Sequence, residues 1–214
     1  MASDNGKATR VAIFVDHDNF TGSYCNRHRN GGRIGPFRTV EMAVWDSLCD
    51  TVLGHYRERF GTEKTDIIEH AGTYLCVGMS HLWCHEQNEL RDYFRAMDCE
   101  NGYIVKYGSR AGAFIRRRNN NEREIHWGEE KGVDAEIICQ MLVGAFQDHY
   151  DVAILMSDDS DYLPAVTRVQ DFFGKKVIHA GFMAHRLRER CYGHIPLEEA
   201  DEHLRFPVAS DPSA

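Results

Sequence analysis

The chain has 214 residues, of which 43% are hydrophobic, and this is the length and composition of one globular domain. No apolar run is long enough to cross a membrane, and residues 1–7 lack the apolar segment of a secretory signal, so the sequence predicts a cytoplasmic protein without a membrane partner. The 7 cysteines form no C-x-x-C pair, which favours reduced thiols. The net charge of −8 argues against a protein that coats nucleic acid but does not exclude a nucleic-acid enzyme.

The first third of the sequence contains a buried strand, a basic segment and a helix. Residues 1–9 are predicted to be a flexible tail, and the apolar run 11–15 is typical of a strand buried on both faces. Residues 19–37 contain no Asp or Glu and have no clear periodicity, so we interpret them as a long loop. Apolar residues then recur every fourth position, which predicts an amphipathic helix over 38–60.

Strands and helices alternate through the rest of the chain. The patterns predict strands at 66–77, 103–107, 152–156 and 176–180, and helices at 81–97, 132–149, 162–173 and 183–191. A β-hairpin insertion is expected at about 111–128, a brief edge strand near Ile195, and a tail at 201–214. This order predicts a single domain over 10–200, with a doubly wound α/β three-layer sandwich around a mostly parallel sheet.

Carboxylates follow the strands of this predicted sheet at matched places. Asp16 and Asp18 follow the first strand, Asp134 lies at the start of a helix, and the fourth parallel strand is followed by Asp158, Asp159 and Asp161. In doubly wound sheets the strand order reverses beside the first strand, and ligands bind in the crevice at its carboxyl end. We therefore expect these clusters to meet. Taken singly, Asp134 is also a candidate helix cap, and the cluster after the fourth strand is also a candidate turn.

Carboxylates gathered at one crevice repel one another unless a cation neutralises them. Oxygen ligands with open positions suit Mg²⁺ or Mn²⁺, and such ions support reactions at phosphate. No nucleophile-elbow motif and no Walker-type glycine loop is found in the sequence. The residues thus predict metal and phosphate chemistry without naming a substrate.

Three motifs resemble the NYN domain of the PIN-like nuclease superfamily, over about residues 10–182. They are Phe14-Val-Asp16-His-Asp-Asn19, Lys131-Gly-Val-Asp134 and Ser157-Asp-Asp159-Ser-Asp161-Tyr162. The resemblance implies a metal-dependent endoribonuclease that uses Mg²⁺ or Mn²⁺. It implies that the metal is held by Asp16, Asp134, Asp159 and Asp161, and that Asn19 is a further catalytic residue near the metal or phosphate. Lys131 and Ser157 would be supporting substrate contacts.

The sequence departs from the family pattern at two positions. Asp158 stands where the family has Gly, and it is either a further ligand or a residue that tolerates the turn, because Asp accepts unusual φ angles better than most residues. Tyr162 stands where the family has Phe, which we treat as a conservative replacement. The pattern does not require Asp18.

Basic residues suggest where RNA could bind. Arg27, Arg29 and Arg33 belong to the predicted loop that leaves the first strand, and Arg116 and Arg118 lie on one arm of the predicted hairpin, with Phe114 or Trp127 available for base stacking. We expect RNA that is single-stranded or in the loop of a structured RNA. The hairpin is alternatively a solvated edge or the contact of a homodimer.

Two other classes of function fit parts of the sequence. Asp16-His-Asp18 resembles the nucleophile motif of haloacid-dehalogenase-like phosphatases, although Phe20 departs from that motif and Asn19 and Asp134 would have no role. A non-catalytic module that binds RNA or protein on the same fold is the second alternative. The complete set of acidic residues counts against it.

Overall fold

The computed structural model describes residues 8–27, 31–34, 37–61, 67–79, 85–110, 114–117, 123–126, 130–182 and 186–198; of these, 31–34, 37, 85–87, 114–117 and 123–126 are described by their backbone alone. The strands are β1 (Thr9–Asp16), β2 (Gly31–Ile34), β3 (Phe37–Val40), β4 (Ile68–Met79), β5 (Tyr103–Arg110), β6 (Phe114–Arg117), β7 (Arg123–His126), β8 (Glu130–Lys131), β9 (Val152–Met156), β10 (Lys176–Gly181) and β11 (Gly193–Pro196). The helices are α1 (His17–Arg27), α2 (Met42–Phe60), α3 (His85–Glu100), α4 (Val133–Phe146), α5 (Leu163–Asp171) and α6 (Arg186–Arg190), and Ser160–Tyr162 form a 3-10 turn.

Seven strands form the central sheet in the order β11-β10-β9-β1-β4-β5-β8. All neighbouring pairs are parallel except β5 and β8, which are antiparallel. The chain first builds outward from β1 through β4 and β5, and it then crosses to β9 on the other side of β1. The strand order therefore reverses between β1 and β9, and the predicted doubly wound sheet is confirmed.

Helices cover both faces of the sheet because the central strands are apolar on both sides. Successive residues of β1 point to opposite faces, so that Val11, Ile13 and Val15 join one core and Ala12 and Phe14 join the other. The first core packs against α1, α2 and α3, and the second packs against α4, α5 and α6. These are the three layers that the sequence predicts.

The prediction of a long loop over 19–37 is wrong for the residues of this range that the structure describes. Helix α1 occupies most of it, and β2 and β3 pair antiparallel. Sequence periodicity missed α1 because its buried positions, His17, Phe20, Thr21 and Tyr24, mix polar and apolar residues. Helix α2 begins at Met42 rather than near 38, because residues up to Val40 belong to β3.

The predicted hairpin is present as the antiparallel pair β6 and β7, which is separate from the central sheet. Residues 1–7 and 199–214 lie outside the described part of the chain, and β1 begins at Thr9, inside the predicted tail. None of the described helices is long and apolar enough to span a membrane.

Candidate metal centre at the carboxyl edge of the sheet

The ends of β1 and β9 bring two parts of the predicted site together. The strands are parallel neighbours and pair Val15 with Met156, so Asp16 and Ser157 are the next residues at the same level of the sheet. The Ser157 hydroxyl donates a hydrogen bond of 3.1 Å to Oδ2 of Asp16. The crevice that the sequence predicts thus has Asp16 on one side and the loop after β9 on the other.

Three carboxylates converge beside this crevice. Asp134 lies in the first turn of α4, and Asp159 and Asp161 follow β9. One oxygen from each of them lies within 4.8 Å of the others. Asp161 is exposed and the other two are half-buried. Among the described residues, no Lys, Arg or His forms a salt bridge with these three carboxylates.

The backbone of α4 explains the place of Asp134. Gly132 precedes the helix with a φ of 83°, a left-handed conformation that favours glycine, and the helix has no side-chain cap. Asp134 is therefore not a helix cap, which was the alternative interpretation of this residue. A carboxylate in the first turn is stabilised by the positive end of the helix dipole.

Asp16 is buried and lies behind the group of three. Its side chain accepts hydrogen bonds from the Asn19 backbone N–H (3.2 Å), the Ser157 hydroxyl and the Tyr162 hydroxyl (3.0 Å). Burial, and less strongly the negative charge of Asp134, raise the pKa of Asp16 to about 6, although the three hydrogen bonds oppose the shift. Asp16 does not belong to the group that converges within 4.8 Å.

Tyr162 connects Asp16 to the group of three. Its hydroxyl oxygen lies 3.0 Å from Oδ2 of Asp16 and 2.9 Å from Oδ1 of Asp134, and the side chain is fully buried. Burial, with the two negative charges beside it, holds the pKa of Tyr162 above its usual range, so the hydroxyl stays protonated and acts as a hydrogen-bond donor. Replacement of the family's Phe is therefore not conservative here. The sequence did not predict this role, because it does not specify that the end of the Tyr162 ring points at the two carboxylates.

We expect Tyr162→Phe to destabilise the metal-free protein by about 1–3 kcal/mol, because the buried Asp16 and the half-buried Asp134 lose their common hydrogen-bond donor. Urea unfolding in the presence of a chelator measures the change. Tyr192→Phe is the matched control, since Tyr192 is 58% exposed and its substitution should change the unfolding free energy by less than about 0.5 kcal/mol. Equal stabilities of the two variants would contradict the bridging role.

Hydrogen bonds to the backbone fix the loop after β9. The Asn19 side-chain oxygen accepts from the Asp158 N–H at 3.0 Å, and the Ser157 hydroxyl oxygen accepts from the Asp159 N–H at 3.2 Å. Oδ1 of Asp159 accepts from the Asp161 N–H at 2.9 Å. Asp159 therefore stabilises a turn, which was the alternative interpretation of this cluster. It also contributes to the group of three carboxylates. Asn19 holds the loop through its side chain.

Asp158 points away from the three carboxylates. Its Oδ1 lies 3.2 Å from Nε2 of the buried His179, and its Oδ2 accepts from the Phe182 N–H at 3.3 Å. A Cβ on Gly181 would lie 2.2 Å from Oδ1 of Asp158, so glycine is needed there to admit the side chain. Asp148 is the only non-glycine residue of the described chain with a positive φ, so Asp158 does not occupy a strained turn position either. Asp158 therefore neither belongs to the group of three carboxylates nor needs an unusual φ angle.

Asp18 belongs to a separate network that the sequence did not reveal. It contacts Nδ1 of His17 at 2.9 Å and forms a salt bridge with Arg110, whose guanidinium also lies 3.0 Å from Glu130. Burial raises the pKa of Glu130, as does the neighbouring charge of Asp18, whereas the pKa of Asp18 is held low despite burial by hydrogen bonds and by Arg110. The negative charge of the Asp18 and Glu130 pair is therefore balanced by Arg110, beside the candidate metal centre.

The predicted substrate contacts fall in different places. Lys131 is exposed in β8, three residues before Asp134. Arg27 donates to the Phe182 carbonyl and to Glu198, both at 2.9 Å, so its guanidinium binds within the chain, from the end of a helix rather than from a loop. The backbones of Arg33 and Arg116 lie in β2 and β6. The side chains of Arg33 and Arg116, and all of Arg29 and Arg118, lie outside what the structure describes, as do the proposed stacking residues Trp127 and the side chain of Phe114.

The donor set fits a hard divalent cation. Asp134, Asp159 and Asp161 offer three carboxylate oxygens near one another, which Mg²⁺ and Mn²⁺ prefer, and the exposure of Asp161 leaves room for water and a phosphate. No sulfur or imidazole ligand is part of the group, which disfavours a zinc-type site. The arrangement can thus hold a cation at the open edge of the sheet.

Comparisons with known proteins agree with this architecture. A seven-stranded, mostly parallel sheet between two helical layers, with carboxylates at its carboxyl edge, is compatible with a PIN-like sandwich. The sequence profile of the NYN domain matches residues 73–198, more than half of the chain. The chain belongs to the NYN domain family. The matched segment contains Asp134, Asp159 and Asp161, whereas Asp16 and Asn19 precede it.

A solved structure is similar to this chain over almost its whole length. It is the crystal structure of a protein of unknown function from Vibrio parahaemolyticus RIMD 2210633, with a TM-score of 0.56 and 19% sequence identity. The alignment covers 94% of this chain and 98% of that chain. At this identity the likeness concerns the fold alone. No curated protein matches the sequence.

Proposed function

We propose that this protein is a metal-dependent endoribonuclease that hydrolyses phosphodiester bonds in RNA at the candidate metal centre. The observation that carries the proposal is the convergence of Asp134, Asp159 and Asp161 within 4.8 Å, at the edge of a sheet where doubly wound proteins bind ligands. Membership of a nuclease-like family supports RNA as the substrate. The catalytic unit would be the single domain over residues 10–200.

Each candidate site residue has a role that follows from its position. Asp134, Asp159 and Asp161 would hold Mg²⁺ or Mn²⁺, and Asp16 adds a fourth carboxylate that Tyr162 ties to Asp134. When bound, such a cation neutralises charge on the phosphate and makes a water molecule more acidic for attack at phosphorus. Asn19 and Ser157 keep the loop after β9 in place, and the exposed Lys131 is available for a phosphate oxygen.

A cleavage assay tests this proposal against its rivals. We expect the protein to cut labelled single-stranded RNA internally with Mn²⁺ or Mg²⁺ and to be inactive with a chelator, because the three carboxylates need their cation. A phosphatase would instead form an aspartyl-phosphate at Asp16, which a metal fluoride mimics and traps. A binding module would retain intact RNA under both conditions. Either of these results would refute the nuclease proposal.

A further inference from the structure

A cavity of about 550 Å³ lies between α3 and the carboxyl end of β5. This is within the range of about 300–1,000 Å³ that is typical of small-molecule sites. The side chains that line it include Arg91, Arg95 and Asp98 of α3 and Tyr107 and Ser109 of β5. None of these residues belongs to the candidate metal centre, so the cavity is a separate feature of the molecule.

The charges of the cavity fit an anionic occupant. Arg91 and Arg95 contribute two guanidinium groups, one turn apart on α3, in a chain whose net charge is −8. Oδ1 of Asp98 accepts a hydrogen bond from the Val105 N–H at 2.9 Å, so this carboxylate is turned toward the backbone of β5. A phosphodiester is an anion that guanidinium groups bind well, through paired N–H donors.

Tyr107 gives the cavity an aromatic surface. Tyr107 is 52% exposed, whereas Tyr103, four residues earlier on the same face of β5, is buried. An exposed aromatic ring beside arginines is the arrangement that single-stranded nucleic acid uses, with a base on the ring and phosphates on the cations. A negatively charged protein segment would use the arginines but would leave the ring without a specific role.

The cavity lies at the same carboxyl edge of the sheet as the candidate metal centre, on the face that α3 covers. Ser109 pairs with Lys131 across β5 and β8, and its hydroxyl donates to the Lys131 carbonyl at 3.2 Å. On the opposite face of β5, Gly108 lies against Val133, and a Cβ on Gly108 would be 2.6 Å from a Val133 methyl group. Lys131 and Val133 precede Asp134 in the chain. An RNA strand that leaves the cavity at Ser109 would pass over the edge strand β8, where Lys131 is exposed, to reach the three carboxylates.

We propose that this cavity binds single-stranded RNA next to the cleavage site, with one base stacked on Tyr107 and the adjoining phosphates at Arg91 and Arg95. The inference rests on the proposed ribonuclease function and assigns part of its substrate-binding surface. The strand continues past Lys131 to the metal centre. The site selects unpaired RNA, because a base held in a duplex cannot stack on a side chain.

Binding measured without cleavage tests the proposal. With a chelator present, fluorescence anisotropy gives the Kd of the whole protein for a labelled single-stranded RNA of about 12 nucleotides. We expect Tyr107→Ala to raise Kd about 10-fold, in the range of the loss of one stacked base, and Tyr107→Phe to restore it. Arg95→Gln should lower the slope of log Kd against log salt concentration by about 0.7, because one phosphate contact is lost.

Matched controls come from the opposite edge of the sheet. Tyr192 is an exposed tyrosine beside Lys176 at the amino end of β10, and Arg57 is an exposed arginine near the end of α2. We expect Tyr192→Ala and Arg57→Gln to leave Kd and its salt slope unchanged. Circular dichroism and thermal unfolding establish that each variant is folded.

The outcomes separate this inference from the function on which it rests. If the parent cuts RNA but Tyr107→Ala and Arg95→Gln bind it as tightly as the parent does, the cavity is not an RNA site and the ribonuclease proposal stands. The same result is expected of a cavity that receives a protein partner. If the parent neither binds nor cuts RNA, the function and this inference fail together.

Discussion

Asp159→Asn is expected to lower RNA cleavage at least about 100-fold, because one of the three converging carboxylates loses its charge and cation affinity falls. Asn has the same shape, and its side-chain oxygen can still accept the hydrogen bond from the Asp161 N–H that makes the turn. The loss should therefore be chemical rather than structural. Cleavage rates of labelled RNA in saturating Mn²⁺, together with Mn²⁺ titration by calorimetry, measure both effects.

The matched control is an aspartate of similar chemistry outside the site. Asp171 is exposed and forms a surface salt bridge with Arg190, so Asp171→Asn should leave cleavage and Mn²⁺ affinity unchanged and alter stability by less than about 1 kcal/mol. If Asp159→Asn cuts RNA as fast as the parent while Mn²⁺ is present, the assignment of the metal centre is wrong. A variant that binds Mn²⁺ normally would reject Asp159 as a ligand.

Asp16→Asn is expected to stabilise the metal-free protein in a pH-dependent manner. Burial raises the folded-state pKa of Asp16 from 3.8 to about 6. Below about pH 4 the carboxyl group is protonated in both states and contributes no difference. As the pH rises from about 4 to 6, the unfolded chain ionises first, so the parent loses stability through this group. The loss approaches about 3 kcal/mol near pH 7, from a pKa difference of about 2 units.

Unfolding by urea in a chelator, at about pH 4 and about pH 7.5, measures this difference for the parent and for Asp16→Asn. The stability of the variant relative to the parent should rise between the two pH values by up to about 3 kcal/mol, before lost hydrogen bonds are counted. Comparing the two proteins cancels the titration of every shared group whose pKa does not depend on the charge of Asp16. A relative stability that does not change with pH would mean that Asp16 has an ordinary pKa. Asp171→Asn again serves as the control, with an expected change near zero.

Several parts of the fold could be predicted from the sequence. Residues 11–15 of β1 and all of β9 are apolar, and a strand buried on both faces is the typical place for such a short run. Parallel strands joined by helices follow from the alternation of patterns, and the reversal of strand order beside β1 then gathers the residues that follow the strands. For this reason the sequence could place Asp16, Asp134, Asp159 and Asp161 at one edge of the sheet.

Features that depend on side-chain direction could not be predicted in this way. The sequence presented Asp158, Asp159 and Asp161 as similar candidates, but the backbone after β9 turns Asp158 toward His179 and the other two toward Asp134. The family pattern presents Tyr162 as a conservative replacement of Phe, but its hydroxyl lies between Asp16 and Asp134. In both cases the decisive partner lies far along the chain, where no local pattern records it.

The tertiary structure also decided what surrounds the carboxylates. Helix α1 was missed because its buried side includes the polar residues His17 and Thr21. His17 is buried against Trp45 of α2 and Phe94 of α3, and the Thr21 hydroxyl donates to the His17 carbonyl within α1. The cavity with Tyr107 and Arg95 exists because α3 and β5, which follow one another in the chain, leave a gap where they pack together. The sequence by itself determined which residues reach the carboxyl edge of the sheet, because strand burial and connection order are encoded locally. Only packing determined which of those residues face one another.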